Sequence, residues 1–214
     1  MGAASAAKPM NVSAPLIPVG PNPPRRRGGF LSWLAVWIFR LFRWRISGEL
    51  PNIPKAVVIV APHTSNWDGV FGLSAIQALR VRVNALGKDT LFVGPLGWLL
   101  RTMGVIPVDR SSPQGMVRQI VARFRSGPAM FLAVAPEGTR HGAERWKTGF
   151  YQIAFEAQVP IILVAFDYQR REVRVLGSLQ ASGDQDADLE RIYSCYRDVP
   201  ARNPDLLSVP LRQR

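Results

Sequence analysis

The chain has 214 residues, 47% of them apolar, enough to bury the core of one ordinary domain. Its net charge of +12 points to a polyanionic partner, either nucleic acid or an anionic membrane surface. Cys195 is the sole cysteine, which excludes an intrachain disulfide and a cysteine-based zinc cage. The chemistry must therefore use oxygen and nitrogen groups, and His63 and His141 are the only imidazoles.

Residues 1–29 are rich in Ala, Pro, Gly and Ser and end in Pro23, Pro24 and three consecutive arginines, a composition that predicts a disordered basic tail. No apolar stretch followed by a small-residue cleavage site marks it as a secretory signal. From Phe30 to Phe39 the text is almost wholly apolar, with Trp33 and Trp37, before Arg40, Arg43, Trp44 and Arg45 interrupt it. That run is about half the ~20 residues a spanning helix needs. Tryptophans favour the headgroup zone and arginines favour anionic lipid, so residues 30–46 read as a membrane-interface helix, with a core helix carrying a charged end as the other reading. Residues 1–50 carry half of the net charge, and the remaining bases are scattered without the dense stripe of a nucleic-acid groove. The expected partner is thus an anionic membrane surface, met from the cytoplasmic face, and no nucleic acid.

Beyond Pro54 short β-branched runs alternate with helical stretches. Strands are predicted at 56–60, 83–86, 105–108, 130–134, 161–166 and 172–176. Helices are predicted at 67–80, 96–103, 113–125, 148–158 and 186–197. The alternation implies an α/β domain, a mostly parallel central sheet flanked by helices, with functional groups gathered where strands end.

Four such strand ends carry chemistry-bearing residues. Pro62–Asp68, PHTSNWD, follows the first buried strand. There Asp68, in the first helical turn, can fold back onto one nitrogen of His63, fixing the tautomer and stabilising the imidazolium formed on proton abstraction. The same aspartate also suits a helix cap. Pro136–Arg140, PEGTR, places Glu137 and Arg140 beside a turn-permitting glycine, either a solvated turn or a place where amides and a guanidinium converge on an anion. Gly104–Arg110, GVIPVDR, ends in Asp109 and Arg110, and Lys88 follows the weaker strand before it. Basic groups at three strand ends together suggest a phosphate pocket.

These blocks resemble the glycerolipid acyltransferase family of the lysophosphatidic acid type, which carries His-x4-Asp, Gly-x-Ile-x-x-Asp-Arg, Glu-Gly-Thr-Arg and a Val-Pro-Ile strand start. All four occur here in that order, at His63–Asp68, Gly104–Arg110, Glu137–Arg140 and Val159–Ile161. The resemblance spans about residues 30–170 and implies an acyltransferase domain over 47–214. It implies one-step transfer of a fatty acyl group from acyl-CoA or acyl-carrier protein to a lysophospholipid hydroxyl, with no cofactor and no metal. His63 would be the base and Asp68 would orient it. Lys88, Arg110, Glu137, Gly138, Thr139 and Arg140 would hold the acceptor, 1-acylglycerol-3-phosphate, while Asn66 and Trp67 would shape the first block. Pro62 and His141 stand where the family often has Asn and Ser, which bears on the acceptor's identity. A serine hydrolase would need a Gly-x-Ser-x-Gly elbow, and the nearest match, Gly72–Ile76, lacks the final glycine and lies in a helical run. The remaining alternatives are an acyltransferase for a different lysolipid or a non-phosphate acceptor, and a non-catalytic lipid-binding membrane protein using the same basic, tryptophan-rich segment.

Overall fold

A computed structural model describes residues 16–88, 92–102, 104–108 and 113–212. Among the described residues seven strands form one sheet: β1 (Arg45–Gly48), β2 (Lys55–Ala61), β3 (Val83–Lys88), β4 (Val105–Val108), β5 (Met130–Val134), β6 (Ile161–Asp167) and β7 (Glu172–Leu179). Their order is β1-β7-β6-β2-β5-β3-β4, parallel throughout except for the antiparallel β6–β7 pair. The carboxyl ends of β2, β3, β4, β5 and β6 therefore emerge along one rim. That rim is where an open parallel sheet places its site.

The strand β2 reads Lys-Ala-Val-Val-Ile-Val-Ala and is buried along nearly its whole length, as expected for a central strand covered on both faces. Side chains alternate between those faces. Val57, Ile59 and Ala61 join Ile120 and Phe124 of helix α4 (Pro113–Ser126), Ile153 of α5 (Gly149–Ala157) and Ile192 of α6 (Gln185–Tyr196). Ala56 and Val58 point the other way, toward Val81, Phe131 and Ile162. On that second face α1 (Phe30–Leu41) and α2 (Asn66–Ala78) bring Phe39 and Phe71 onto Trp44 and Phe166. Helix α3 (Gly94–Thr102) precedes β4, and α7 (Val209–Arg212) follows a 3-10 turn at Pro204–Leu206.

Two N-terminal expectations change. Residues 16–29 are not a free tail: Leu16 and Ile17 pack against the Phe39 and Phe71 cluster, and Val19 packs beside Ala56 and Val81. Backbone bonds run from Arg26 N to Arg80 O (3.0 Å) and from Arg82 N to Pro24 O (2.7 Å). Three apolar side chains and this pairing supply the ordering surface that the Pro- and Ala-rich composition hid; the rest of the expected tail, residues 1–15, lies outside the described residues. The helix expected over 30–46 stops at Leu41, because Arg43 turns into the left-handed region (φ 55°) and Arg45 onward pairs as strand with β7. Within α1, Ser32, Ala35 and Phe39 face inward, while Phe30, Leu31, Trp33, Trp37 and Leu41 are exposed. Among the described residues no helix is long and apolar enough to cross a membrane.

Candidate active site

His63 leaves the end of β2 two residues before the N-cap of α2. Ser65 caps that helix, its hydroxyl accepting from Trp67 N (3.2 Å). Asp68 completes the box: one carboxylate oxygen, Oδ2, accepts from Thr64 N (2.9 Å) and Ser65 N (2.8 Å). The same Oδ2 lies 3.2 Å from His63 Nδ1. Capping and imidazole orientation, two alternatives in the sequence, are therefore combined in one buried side chain.

The other ring nitrogen faces the third block. Arg140 donates from Nε to His63 Nε2 (3.3 Å) and from a terminal nitrogen to Asn66 Oδ1. A guanidinium has only donors, so Nε2 is an acceptor there and the ring proton sits on Nδ1, toward Asp68. A base needs that tautomer, its lone pair outward and its proton held behind.

Glu137 is placed differently from the expectation that it contacts the acceptor. Its side chain is buried, accepting His63 N on Oε2 (2.6 Å) and the Ser208 hydroxyl on Oε1 (2.9 Å). Ser208 in turn accepts the Trp146 indole N–H (2.9 Å). Burial pushes the Glu137 carboxyl above its ordinary range, opposed by the bond from His63 N. The physical reason is the turn: Gly138, at φ 66°, reverses the chain with Lys147 packed where a side chain would stand, so Glu137 points inward and Arg140 outward. Thr139 Oγ1 accepts from His141 N (3.2 Å), bracing the turn, and His141 itself is exposed.

Lys88 ends β3 on the same rim, in register with Val108 of β4. Arg110 lies outside the described residues. The structure thus brings together His63, Asp68, Glu137 and Arg140 around one imidazole.

Two further contributors were not singled out in the sequence. Tyr168, just beyond β6, donates its hydroxyl to Asp68 Oδ1 (2.5 Å), and burial, then the Asp68 charge, pushes its phenol well above the ordinary range. Asn203 clamps the loop from outside, donating from Nδ2 to Thr64 O (2.8 Å) and from its backbone N to Thr64 Oγ1 (3.3 Å). Applied to the predicted strand at 161–166, the strand-end rule that flagged His63 would have flagged Tyr168. Nothing local marks Asn203 or Ser208. Among the described residues no three His, Cys, Asp or Glu side chains converge as a metal site would require.

The acyltransferase family model matches residues 45–167, from the first residue of β1 to the last of β6. The chain belongs to the acyltransferase family. Similar members include 1-acyl-sn-glycerol-3-phosphate acyltransferases of Pseudomonas aeruginosa, 28% identical over 163 residues, and of Streptococcus pneumoniae, 29% identical over 135. The first match covers 70% of this chain and 61% of the relative; the second covers 59% and 50%. A chloroplastic acyltransferase of the same name from Brassica napus, BAT2, is 30% identical over 139 residues, 61% of this chain and 39% of its own length. The chain thus spans between two-fifths and three-fifths of these acyltransferases. The crystal structure of the 1-acyl-sn-glycerophosphate acyltransferase PlsC from Thermotoga maritima shares its fold, with a TM-score of 0.56 at 16% identity over 81% of this chain and 79% of that one.

Proposed function

We propose that the protein transfers a fatty acyl group from a thioester, acyl-CoA or acyl-carrier protein, to the hydroxyl of a lysophospholipid, 1-acylglycerol-3-phosphate, in phospholipid biosynthesis. The observation that carries this reading is the His63 imidazole held with Nδ1 on buried Asp68 and Nε2 turned outward beside Arg140. Family membership and relatives named for this reaction support it.

In the proposed step the acceptor hydroxyl gives its proton to His63 Nε2 as its oxygen attacks the thioester carbonyl. The tetrahedral adduct collapses, the C–S bond breaks, and the thiolate leaves as a thiol after taking the proton back from the imidazolium. Asp68 stabilises that transient cation. Before the hydroxyl can approach, Arg140 must leave Nε2, and a phosphate monoester gives its guanidinium a better partner than an imidazole. Lys88 and Arg110 would complete that phosphate site.

Location at a membrane surface belongs to the same reading. Trp67, Val70 and Leu73 of α2 are exposed, as are Trp33 and Trp37 of α1, and the two helices pack together. Exposed apolar side chains on adjoining helices, with Arg27, Arg40 and Arg43 nearby in sequence, suit peripheral docking on anionic lipid at the cytoplasmic face.

The test is direct. Purified protein given labelled acyl-CoA and 1-acylglycerol-3-phosphate should form the diacyl product. His63→Ala should lower kcat by about 10²–10⁴ while the fold persists by circular dichroism. Thioester hydrolysis without acyl product, or a folded His63→Ala variant that keeps its rate, rejects the mechanism.

A further inference from the structure

Beside the dyad, on the far side of Tyr168, lies a depression of about 440 Å³ that the reaction above does not use. Its walls are aromatic. Trp44 stacks on Phe71 (centroids 3.8 Å apart, planes 12° apart) and meets Tyr168 edge-on at 5.0 Å, and Trp67 meets Phe42 at 5.4 Å. Its charge comes from Arg43, Arg171 and Arg202. The Arg202 guanidinium lies 5.7 Å from the ring centres of both Trp67 and Tyr168.

These three arginines differ from their neighbours. Arg45 is paired with Glu172, and Arg170 and Arg174 are paired with Asp167. Among the described residues Arg43, Arg171 and Arg202 have no carboxylate within ion-pair distance, and no acid lines the depression. Arg43 and Arg171 both hold left-handed backbone (φ 55° each), a conformation glycine or asparagine would adopt more cheaply. A hydrogen bond from Arg45 N to Arg171 O (3.0 Å) ties the two turns together.

We propose that this depression binds the phosphate headgroup of an anionic bilayer phospholipid, at a site separate from the acceptor's. Three unpaired guanidiniums suit a phosphodiester and repel a choline headgroup. The walls offer rings and hydrocarbon but few neutral polar groups, and the Tyr168 hydroxyl is already engaged by Asp68, so a sugar-bearing nucleotide finds little to bind. Leu41 and Phe42 line the depression and belong to the exposed apolar set that includes Trp33 and Trp37 on α1, giving the lipid's acyl chains a surface along which to continue. Headgroup capture here would set the protein's rotation on the membrane, with Tyr168 and the dyad immediately behind.

Calorimetric titration with dihexanoyl-phosphatidylglycerol below its micelle concentration tests the site. Binding should saturate at one lipid per chain, at least about tenfold tighter than dihexanoyl-phosphatidylcholine or glycerol 3-phosphate. Replacing Arg43, Arg171 and Arg202 together by Gln should weaken it at least tenfold. Replacing Arg118, Arg123 and Arg125 of α4 by Gln removes the same charge from the opposite face of the sheet and should change it less than twofold. Arg140→Ala should leave it unchanged, whether or not the transfer reaction stands. Equal affinity for the choline lipid or for glycerol 3-phosphate in the wild type overturns the proposal without any variant. So does an equal loss in the two triple variants, which would make binding a matter of net charge, or a loss in Arg140→Ala, which would make it the acceptor site.

Discussion

Asp68 and Asp167 are both buried, and their neighbours in the sequence and fold surround them in opposite ways. Asp167 ends β6 and takes two guanidiniums: Arg170 donates from its backbone (2.8 Å) and side chain (2.8 Å), and Arg174 from its side chain (3.1 Å). Burial alone would raise its carboxyl, but the bonds from Arg170 and then Arg174 outweigh it and hold the group below the usual carboxylate range. Asp68, reached from the next residue through the Tyr168 hydroxyl, takes two backbone amides, a phenol and an imidazole, and no guanidinium. A carboxylate matched by fixed cations is finished as an ion pair. One that faces no fixed guanidinium is left to balance a cation that forms only during the reaction.

Asp68→Asn should break this comparison most severely. The amide cannot balance an imidazolium and can turn an N–H toward His63, so kcat should fall by about two orders of magnitude, yet less than in His63→Ala, where the base itself is gone. Rates for the two folded variants, measured side by side, check this; an equal or larger loss in Asp68→Asn would give that residue another role. Tyr168→Phe should cost less. It removes one hydrogen bond to the carboxylate and leaves the ring's packing on Trp44, so kcat should drop about three- to tenfold with both KM values unmoved, matching a hydrogen bond of about 0.5–1.5 kcal/mol. A change confined to KM would make Tyr168 a binding residue.

Asp167→Asn should change the rate by less than about twofold and appear only in stability, lowering Tm by a few degrees at pH 7. The sign of its pH dependence is fixed. A folded-state value below the ordinary 3.8 means that the carboxylate's contribution is present above that value and disappears as pH falls through the depressed one. Melting curves of wild type and variant should therefore stay separated from pH 7 down to about pH 5 and converge in stronger acid. A gap that closed between pH 7 and 5 would contradict the ion-pair account.

The alternation of β-branched runs with helical stretches was enough to place the parallel sheet, because a strand buried on both faces must read as a continuous apolar run. β1 escaped notice because Arg-Ile-Ser-Gly is a short edge strand with a single large apolar residue, ordered by its partner β7. The His63–Asp68 pair was legible because its members are five residues apart and share one helix start. Glu137 was expected on the acceptor, and its burial beneath the His63 loop was not legible, since a motif records which residues are present and not which way a φ of 66° at Gly138 turns them. Arg140 was expected on the acceptor, and its contact with His63 Nε2 depends on the meeting of two loops 77 residues apart.

The Thr64 clamp and the Glu137 brace both come from beyond the last strand, which ends at Leu179. Asn203 is 139 residues from Thr64, and Ser208 is 71 residues from Glu137. All seven strands named above lie ahead of the 203–208 segment, which holds the loop bearing His63 from its outer side. Scaffold and reactivity thus rest on different stretches of the chain: the sheet ends with β7, and the aim of the imidazole depends on residues beyond it.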